Sequence, residues 1–383
     1  AGALRKAGSF WPVVALLGPR QSGKSTLFRE ILDLGKYVSF DDEEALEDAE
    51  ASAKQFLQKL PRPLILDEAQ KCPSIFDAIK LFVDRKRVPG SFFLTGSSQF
   101  SAKLGIRESL TGRIGIHYLY PMTLAEAHRS AFEAERAHPE HALPNRFAVE
   151  AMVSRFASGG LPVPLFTRDE GLVSAYFQSW VETSILRDAR RAYGDGYNPD
   201  VAFSILTQMT TALKNGEYAS LKHFKQNSRQ ARRYLSALED IFLLHRLSPH
   251  EDTVGSDLWT FFDTGVLSYF ARGVIGEALR ISLSRISVLN EIRATCEYAG
   301  RRMRPVYYKT ARGAPVDLLW EDTLIKISSA PRSQVEYDLR PLRSAMKKLD
   351  IKKGFLLWGF DQNAHDDLVG FGKIKMVPWT HYS

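Results

Sequence analysis

Apolar residues in the first third of the chain fall into short unbroken runs. Pro12-Val13-Val14-Ala15-Leu16-Leu17, Leu64-Ile65-Leu66 and Phe92-Phe93-Leu94 have strand length and no internal alternation, the pattern of strands buried on both faces. Lys36-Tyr37-Val38-Ser39-Phe40 reads as a further short strand. Between them, residues 26–32 and 76–86 have helical spacing. In the second, Phe76, Ile79, Phe82 and Val83 share one face. Residues 43–60 are acidic and helical in pattern, a solvated helix face with no chemistry implied. Strands alternating with helices at these spacings predict an α/β fold with a doubly wound parallel sheet. Its ligand would then sit at the carboxyl ends of the strands.

After this the pattern changes. Residues 129–146 are rich in Ala, Glu and His and broken by Pro139 and Pro144, so His128, His138 and His141 belong to exposed helix and loop rather than a metal site. Residues 156–164 form a turn-rich joint around Gly159-Gly160, and residues 172–192 read as a helix whose final arginines suit its C-terminal dipole. Ser220-Leu221-Lys222-His223-Phe224-Lys225 is a short helix, Gln226-Asn227 a turn, and Ser228 the cap of a second helix reaching about His245. Ala231, Leu235, Leu238, Ile241 and Phe242 make its apolar face, with Arg229, Arg232, Arg233 and Ser236 towards the other side. This is a helix-turn-helix pattern. Residues 259–269, including Phe261-Phe262-Asp263-Thr264-Gly265, are aromatic core. Further on, residues 288–293 begin a helix bearing Glu291. Residues 304–308, 316–320 and 323–328 read as three strands, the first two joined by a turn at Arg312-Gly313-Ala314-Pro315.

The chain has 383 residues, long for one core, so two or three domains are expected. No apolar run approaches the roughly 18 residues of a membrane span, and no secretory pattern opens the sequence, which begins with Ala rather than Met. Its two cysteines, Cys72 and Cys296, are far apart, which argues against a disulfide framework or zinc site and fits the cytoplasm. The net charge of +7 permits nucleic-acid contact without requiring it.

The chemistry concentrates at Gly18-Pro19-Arg20-Gln21-Ser22-Gly23-Lys24-Ser25-Thr26, which lies between the first strand and its helix and matches G-x-x-x-x-G-K-[ST]. Gly18 and Gly23 let backbone curl around phosphate, the helix that follows aims its N–H groups at the anion, Lys24 adds a point charge for the β/γ-phosphates, and Ser25 offers a hydroxyl to Mg²⁺. The strand ending in Asp67-Glu68 supplies the complementary acids, Asp67 for the metal shell and Glu68 to polarise the attacking water. Ser97, at the end of the 91–98 run, is the favoured polar sensor of the γ-phosphate.

Together Gly-Pro-Arg-Gln-x-Gly-Lys-Ser, Leu66-Asp67-Glu68-Ala69-Gln70, Leu94-Thr95-Gly96-Ser97-Ser98, Ser109-Leu110-x-Gly112-Arg113 and Tyr120-Pro121-Met122-Thr123-x-x-Glu126 resemble a large family of bacterial and archaeal AAA+ ATPases. The resemblance is strongest in the first 126 residues, though a Gly-Gly-Leu-Pro segment and the Phe-Asp-x-Gly stretch continue it. It implies an AAA+ ATPase domain over 1–128, a helical linker with a winged helix over 129–278, and an α+β restriction-endonuclease-like domain over 279–383. It also implies that Arg113, with Arg107 second, reaches a neighbouring subunit's γ-phosphate, and hence a homo-oligomer, a nucleotide-dependent hexamer being one form. In active endonuclease-like domains an acid on the helix, an Asp after the hairpin and Glu-x-Lys bind metal. Glu291 and Asp317 fit the first two slots, but Lys326-Ile327-Ser328 occupies the third, and an ammonium cannot ligate Mg²⁺. Nuclease activity is therefore expected to be lost.

Residues 299–313 carry Arg301, Arg302, Arg304, Lys309 and Arg312 with no acid, interleaved with Tyr307 and Tyr308, and residues 331–353 hold seven Lys/Arg against three acids. Cations with aromatics suit phosphate contact and base stacking. The expectation is an ATPase that uses ATP and Mg²⁺ and binds DNA through Arg229, Arg232, Arg233, Arg301, Arg302, Arg304 and Lys309. The resemblance to an endonuclease-like fold further implies, by analogy, that the DNA is branched or forked and is remodelled in a helicase-like manner. A nucleotide-switched protein-interaction module of a defence or toxin-type system, or an active Mg²⁺-dependent nuclease, are the alternatives.

Overall fold

The apolar runs pair into one parallel sheet. In the computed structural model, β1 (Val13–Leu17), β2 (Lys36–Ser39), β3 (Leu64–Asp67), β4 (Phe92–Gly96) and β5 (Ile114–Tyr118) lie in the order β2-β3-β4-β1-β5, every neighbouring pair parallel. The structure describes residues 1–99, 110–127, 155–253, 255–272, 275–301, 304–310, 313–328, 335–358, 365–369 and 372–378. It divides into two compact units, Ala1–Tyr120 with Asp240–Phe242, and Pro121–Glu239 with Leu243–Ser383.

In the first unit β1, β3 and β4 are buried throughout, whereas edge strand β2 has no buried residue, which is why the interior runs carry no polar alternation. Helix α1 (Gly2–Gly8) precedes β1, and α2 (Lys24–Thr26) follows it, continued by a π-helical stretch, Leu27–Leu32. Phe28 of that stretch meets Phe93 of β4 edge-on, ring centres 5.5 Å apart, in a core with Leu4, Val14, Leu16 and Ile65. The acidic helical segment is two helices, α3 (Glu43–Ala51) and α4 (Ala53–Lys59), because Ser52 is extended and its Oγ caps the second. Helix α5 (Ser74–Arg85) buries Phe76, Ile79 and Val83, the predicted face.

The second unit opens with α6 (Leu124–Ala127) and α7 (Pro162–Phe166). Next come α8 (Glu170–Thr183), extended by a π-helical stretch, Ser184–Ala189, then α9 (Arg190–Tyr193) and α10 (Pro199–Lys214). A 3₁₀ turn, Leu221–His223, leads to α11 (Ser228–Asp240) and the antiparallel pair β6 (Leu244–Pro249) and β7 (Leu258–Phe261). Helix α11 stops five residues before the expected His245. Phe242 takes φ 58°, Leu243 N closes the helix on Leu238 O at 3.0 Å, and the chain turns directly into β6. The apolar face still holds: Ala231, Leu235, Leu238, Ile241 and Phe242 are buried, the last two beyond the helix end.

Helices α12 (Thr264–Ala271) and α13 (Glu277–Tyr298) lead into β8 (Val306–Tyr308), β9 (Val316–Trp320), β10 (Thr323–Ser328), α14 (Val335–Leu349), β11 (Lys353–Trp358), β12 (His365–Val369) and β13 (Gly372–Pro378). One mixed sheet runs β12-β13-β11-β10-β9-β8-β6-β7, so strands on both sides of residue 279 share it. The register Ser248 to Val306 and Pro249 to Tyr307 makes the join.

Asp263 has a structural role here. Its two carboxylate oxygens accept from Gly160 N and Gly265 N, both at 2.8 Å, tying the Gly159-Gly160 turn to the start of α12. A Cβ at Gly159, whose φ is 69°, would lie 2.0 Å from Asp263 Oδ1. The Gly-Gly-Leu-Pro and Phe-Asp-x-Gly segments thus meet at one buried carboxylate.

Glu291 belongs to the same neighbourhood. It accepts from Leu124 N at 2.9 Å and pairs with Arg155 at 3.5 Å, while its other oxygen is buried without a partner among the described residues. Burial, offset by Arg155 and Leu124 N and reinforced by Glu126, pushes its pKa up to about 7. A raised carboxyl pKa contributes stability below the unfolded value and loses it as pH rises through the folded one. Replacing Glu291 by Gln, which keeps an acceptor for Leu124 N, is therefore expected to raise the melting temperature relative to wild type progressively from pH 5 to pH 8. The gain is on the order of 1–3 kcal/mol across that window. Parallel pH profiles of the two proteins would contradict this.

Candidate functional site

Residues 18–25 bridge β1 and α2 in a tight loop. Gln21 and Gly23 both have left-handed backbones, φ 59° and 97°, and these reversals bend the segment. Gly18 is required for a different reason: a Cβ there would come within 2.3 Å of the Leu119 carbonyl oxygen. Lys24 begins α2 with a buried side chain whose Nζ donates to Gly18 O (3.0 Å) and Pro19 O (2.7 Å). Ser22 Oγ is buried with no partner among the described residues. Arg20 is half-buried, and Gln21 and Thr26 are exposed.

The sheet order brings the acids to this loop. Because β4 lies between β1 and β3, residues from its carboxyl end fill the space between the glycine loop and the Asp67-Glu68 pair. Asp67 Oδ1 accepts from Ser25 Oγ at 2.9 Å and from Thr95 Oγ1 of β4, and Oδ2 accepts from Tyr37 OH at 2.8 Å. Burial and the neighbouring Asp67 push the Tyr37 phenol up to about 12, so it stays a donor. Glu68 leaves the strand with φ 53°, a left-handed conformation uncommon for glutamate. Its backbone N–H donates to Thr95 Oγ1 at 3.2 Å, and its Oε2 accepts from Ser97 Oγ at 3.0 Å and from Gln70 Nε2. Burial raises the Glu68 pKa, opposed by the charge of Lys24. The two carboxylates thus have separate surroundings, Asp67 joined to the loop hydroxyl and Glu68 to the sensor side of β4.

These groups fit a magnesium–triphosphate. Ser25 and Asp67 are hard oxygen donors already in contact, the set Mg²⁺ prefers. The Ser22 hydroxyl and the Lys24 ammonium, the latter donating to the Gly18 and Pro19 carbonyls, are donors suited to phosphate oxygens.

Arg113 is held elsewhere. It donates to Asp84 Oδ1 of α5 at 2.5 Å and to Thr111 O at 3.0 Å, and that bond keeps the Asp84 carboxyl below its usual range. Arg107 lies outside the described residues, as do His128, His138 and His141.

Residues 11–128 match the family model described as an AAA domain. The N-terminal unit is a P-loop domain of the AAA type. Across 92% of the chain, uncharacterized proteins of Mycobacterium bovis and Mycobacterium tuberculosis are each 27% identical over 378 residues, covering 78% of their own length. Among solved structures, the Walker-type ATPase of Pyrococcus abyssi overlaps with a TM-score of 0.45 at 15% identity, covering 70% of this chain and 93% of that one. Drosophila ORC bound to AT-rich DNA overlaps with a TM-score of 0.21 at 13% identity, covering 70% and 87%. Overlaps this loose carry no function across.

Within the AAA domain, sequence reasoning missed Tyr37, Gln70 and Thr95. Thr95 stood in the run of small hydroxyl residues that pointed to Ser97, and Gln70 stood inside the quoted motif. Nothing in the sequence marked Tyr37, which the β2–β3 pairing brings beside Asp67.

The basic residues of the second unit divide. Arg229 and Arg232 are exposed on α11 and have neither ion pair nor hydrogen bond among the described residues. Arg233 donates to Tyr193 O and Asp195 O, both at 3.1 Å, and lies 4.0 Å over the Tyr193 ring, so it serves the fold. Arg301, Arg304 and Lys309 are exposed, and Arg302 lies outside the described residues. Tyr307 and Tyr308 correct the stacking expectation. Both are buried in the sheet, Tyr307 donating to Ser256 O at 2.8 Å and Tyr308 packing in the core with Leu342 and Met346, so neither can receive a base.

Glu291 and Asp317 do not share a site. Glu291 binds Leu124 and Arg155, as above. Asp317 is fully buried between cations, with Arg285 Nε at 3.0 Å and Lys326 Nζ at 3.2 Å, and accepts from Tyr218 OH (2.8 Å) and Ile327 N (2.7 Å). Burial would raise its pKa, yet Lys326, Arg285 and the Ile327 N–H together hold it below the usual range. Lys326 also approaches Asp338 at 3.8 Å. Among the described residues, His250, Glu251 and Asp252 are the ligand-type trio close enough to share an ion, and they lie at a turn after β6 that includes neither Glu291 nor Asp317.

Proposed function

We propose that this protein hydrolyses ATP at the P-loop site and couples turnover to DNA held by its C-terminal unit. The carrying observation is the Ser25–Asp67 hydrogen bond beside a Glu68 kept separate by Ser97. In this reading residues 18–26 cradle the phosphates, Lys24 exchanges its backbone carbonyls for phosphate oxygens, and Ser25 with Asp67 would hold Mg²⁺. When bound, Mg²⁺ supplies charge neutralisation between the phosphates. Glu68 orients and polarises the water, and Ser97 senses the terminal phosphate through Glu68. Arg113 acts on a neighbouring subunit's site once a homo-oligomer forms. Its pair with the exposed Asp84 is open to solvent screening and holds it weakly.

For the DNA half, the helix, 3₁₀ turn, helix and two-stranded hairpin of α10, Leu221–His223, α11, β6 and β7 follow a winged-helix order, and α13-β8-β9-β10-α14-β11 follows that of an endonuclease-like fold. The unpaired Arg229 and Arg232 on α11 favour phosphate contact. The cations around Asp317 favour a platform that does not cut. Preference for forks or junctions is the finer claim.

Reversing Arg229 and Arg232 to Glu is expected to weaken DNA binding at least about tenfold and lower the salt slope by about two. A gel-shift series on duplex, fork and four-way junction at fixed salt measures both. Unchanged affinity would move the partner from DNA to protein, and equal affinity for all three DNAs would remove the branch preference.

A further inference from the structure

Gln70 follows β3 on the 3₁₀ turn Ala69–Lys71, two residues after the acid that the hydrolysis reading makes the water-polarising group. Its amide nitrogen donates to Glu68 Oε2 and, at 3.3 Å, to Ser97 Oγ, which itself donates to that same Glu68 oxygen. An ionised carboxylate only accepts, so the amide must present its NH₂ to Glu68, and its orientation is fixed by chemistry. The carbonyl oxygen then points away from the carboxylate. Gln70 Oε1 is buried and has no hydrogen-bond partner among the described residues. A buried carbonyl without a donor is costly, and such atoms are usually met by an ordered water. Glu68 itself sits on a left-handed backbone at φ 53°, so the residue that fixes its side chain works against a strained attachment.

We infer that Gln70 is the positioning residue of the hydrolytic site: with Ser97 it clamps one oxygen of Glu68, leaving the other for the attacking water. The inference rests on the hydrolysis reading and goes beyond it, because the P-loop pattern assigns no role to this position. It separates two functions of the Leu-Asp-Glu-Ala-Gln segment. Asp67 serves the metal side through Ser25, and Gln70 serves the water side through Glu68.

The test is steady-state and single-turnover ATP hydrolysis by wild type, Gln70→Ala, Gln70→Glu, Glu68→Gln and the Gln70→Ala/Glu68→Gln double variant, with a fluorescent ATP analogue to measure binding. Gln70→Ala is expected to lower kcat roughly ten- to a hundredfold, with KM and analogue affinity within about twofold. Gln70→Glu, nearly isosteric but without the donor, should fall at least as far. In the Glu68→Gln background the Ala substitution should change the single-turnover rate less than about twofold, because a residue acting through Glu68 loses its effect when Glu68 is disabled. Wild-type turnover in Gln70→Ala, or an equal drop in both backgrounds, would overturn the assignment. A wild type that binds the analogue but hydrolyses no ATP would overturn the hydrolysis reading itself, which is a different result.

Discussion

Glu68→Gln is expected to bind MgATP with near wild-type affinity and to turn it over roughly a hundred- to a thousandfold more slowly. The substitution keeps the shape of the side chain and an oxygen for Ser97 to donate to, so the local fold survives. What it removes is the negative charge that polarises water. Because Ser25 hydrogen-bonds to Asp67 and, among the described residues, not to Glu68, the metal side of the site is left as it was, and the loss should fall on kcat rather than on binding. Turnover within threefold of wild type would assign the water to another group.

The second large effect concerns stability. Asp317→Ala is expected to cost about 3–5 kcal/mol, because it strands buried cations. Arg285 would keep its bond to Gly216 O at 2.6 Å and Lys326 its longer approach to Asp338, but the carboxylate that both share would be gone. Tyr218 OH and Ile327 N would lose their acceptor as well. Urea unfolding followed by near-ultraviolet dichroism measures the loss. If Asp317→Ala instead kept its stability within about 1 kcal/mol and abolished a Mg²⁺-dependent DNA cleavage seen in wild type, Asp317 would be a metal ligand after all.

What could be read from the sequence is what local geometry encodes. The glycine loop, the twin acids and the helix after them are contiguous motifs, and the parallel sheet follows from unbroken apolar runs between helices. The place of β4 between β1 and β3 is not local information, and it is this order that lets Thr95 join Asp67 to the Glu68 backbone. Tyr37 went unnoticed for the same reason. The sequence pattern marks helix α13 only from Val288 onward, although it begins at Glu277. Its buried set includes Arg285, Glu291 and Arg293 among Leu283, Ile286 and Leu289, and paired charges inside a buried helix erase the apolar period that marks one. The pattern runs past the end of α11 because Ile241 and Phe242 continue its apolar face while the backbone has already turned. Tyr307 and Tyr308 look like exposed aromatics among cations, yet both faces of β8 are covered, one by the segment at Gly255-Ser256 and one by the core beneath α14.

The same contrast holds for charge. Arg229 and Arg233 are equivalent in the sequence, but among the described residues only the second is paired, because the turn at Tyr193 and Asp195 reaches it. Composition gives the number of cations, and tertiary contacts decide which of them remain for a partner.

The central claim is that a triphosphate docks on the loop that Lys24 closes. Titration of a fluorescent ATP analogue with Mg²⁺ into wild type and Lys24→Ala, with turnover measured on the same samples, tests it most directly. The account predicts binding weaker by about a hundredfold and no measurable turnover in the variant, since a charge-assisted donor to phosphate is removed. Equal affinity and equal turnover in the two proteins would contradict it.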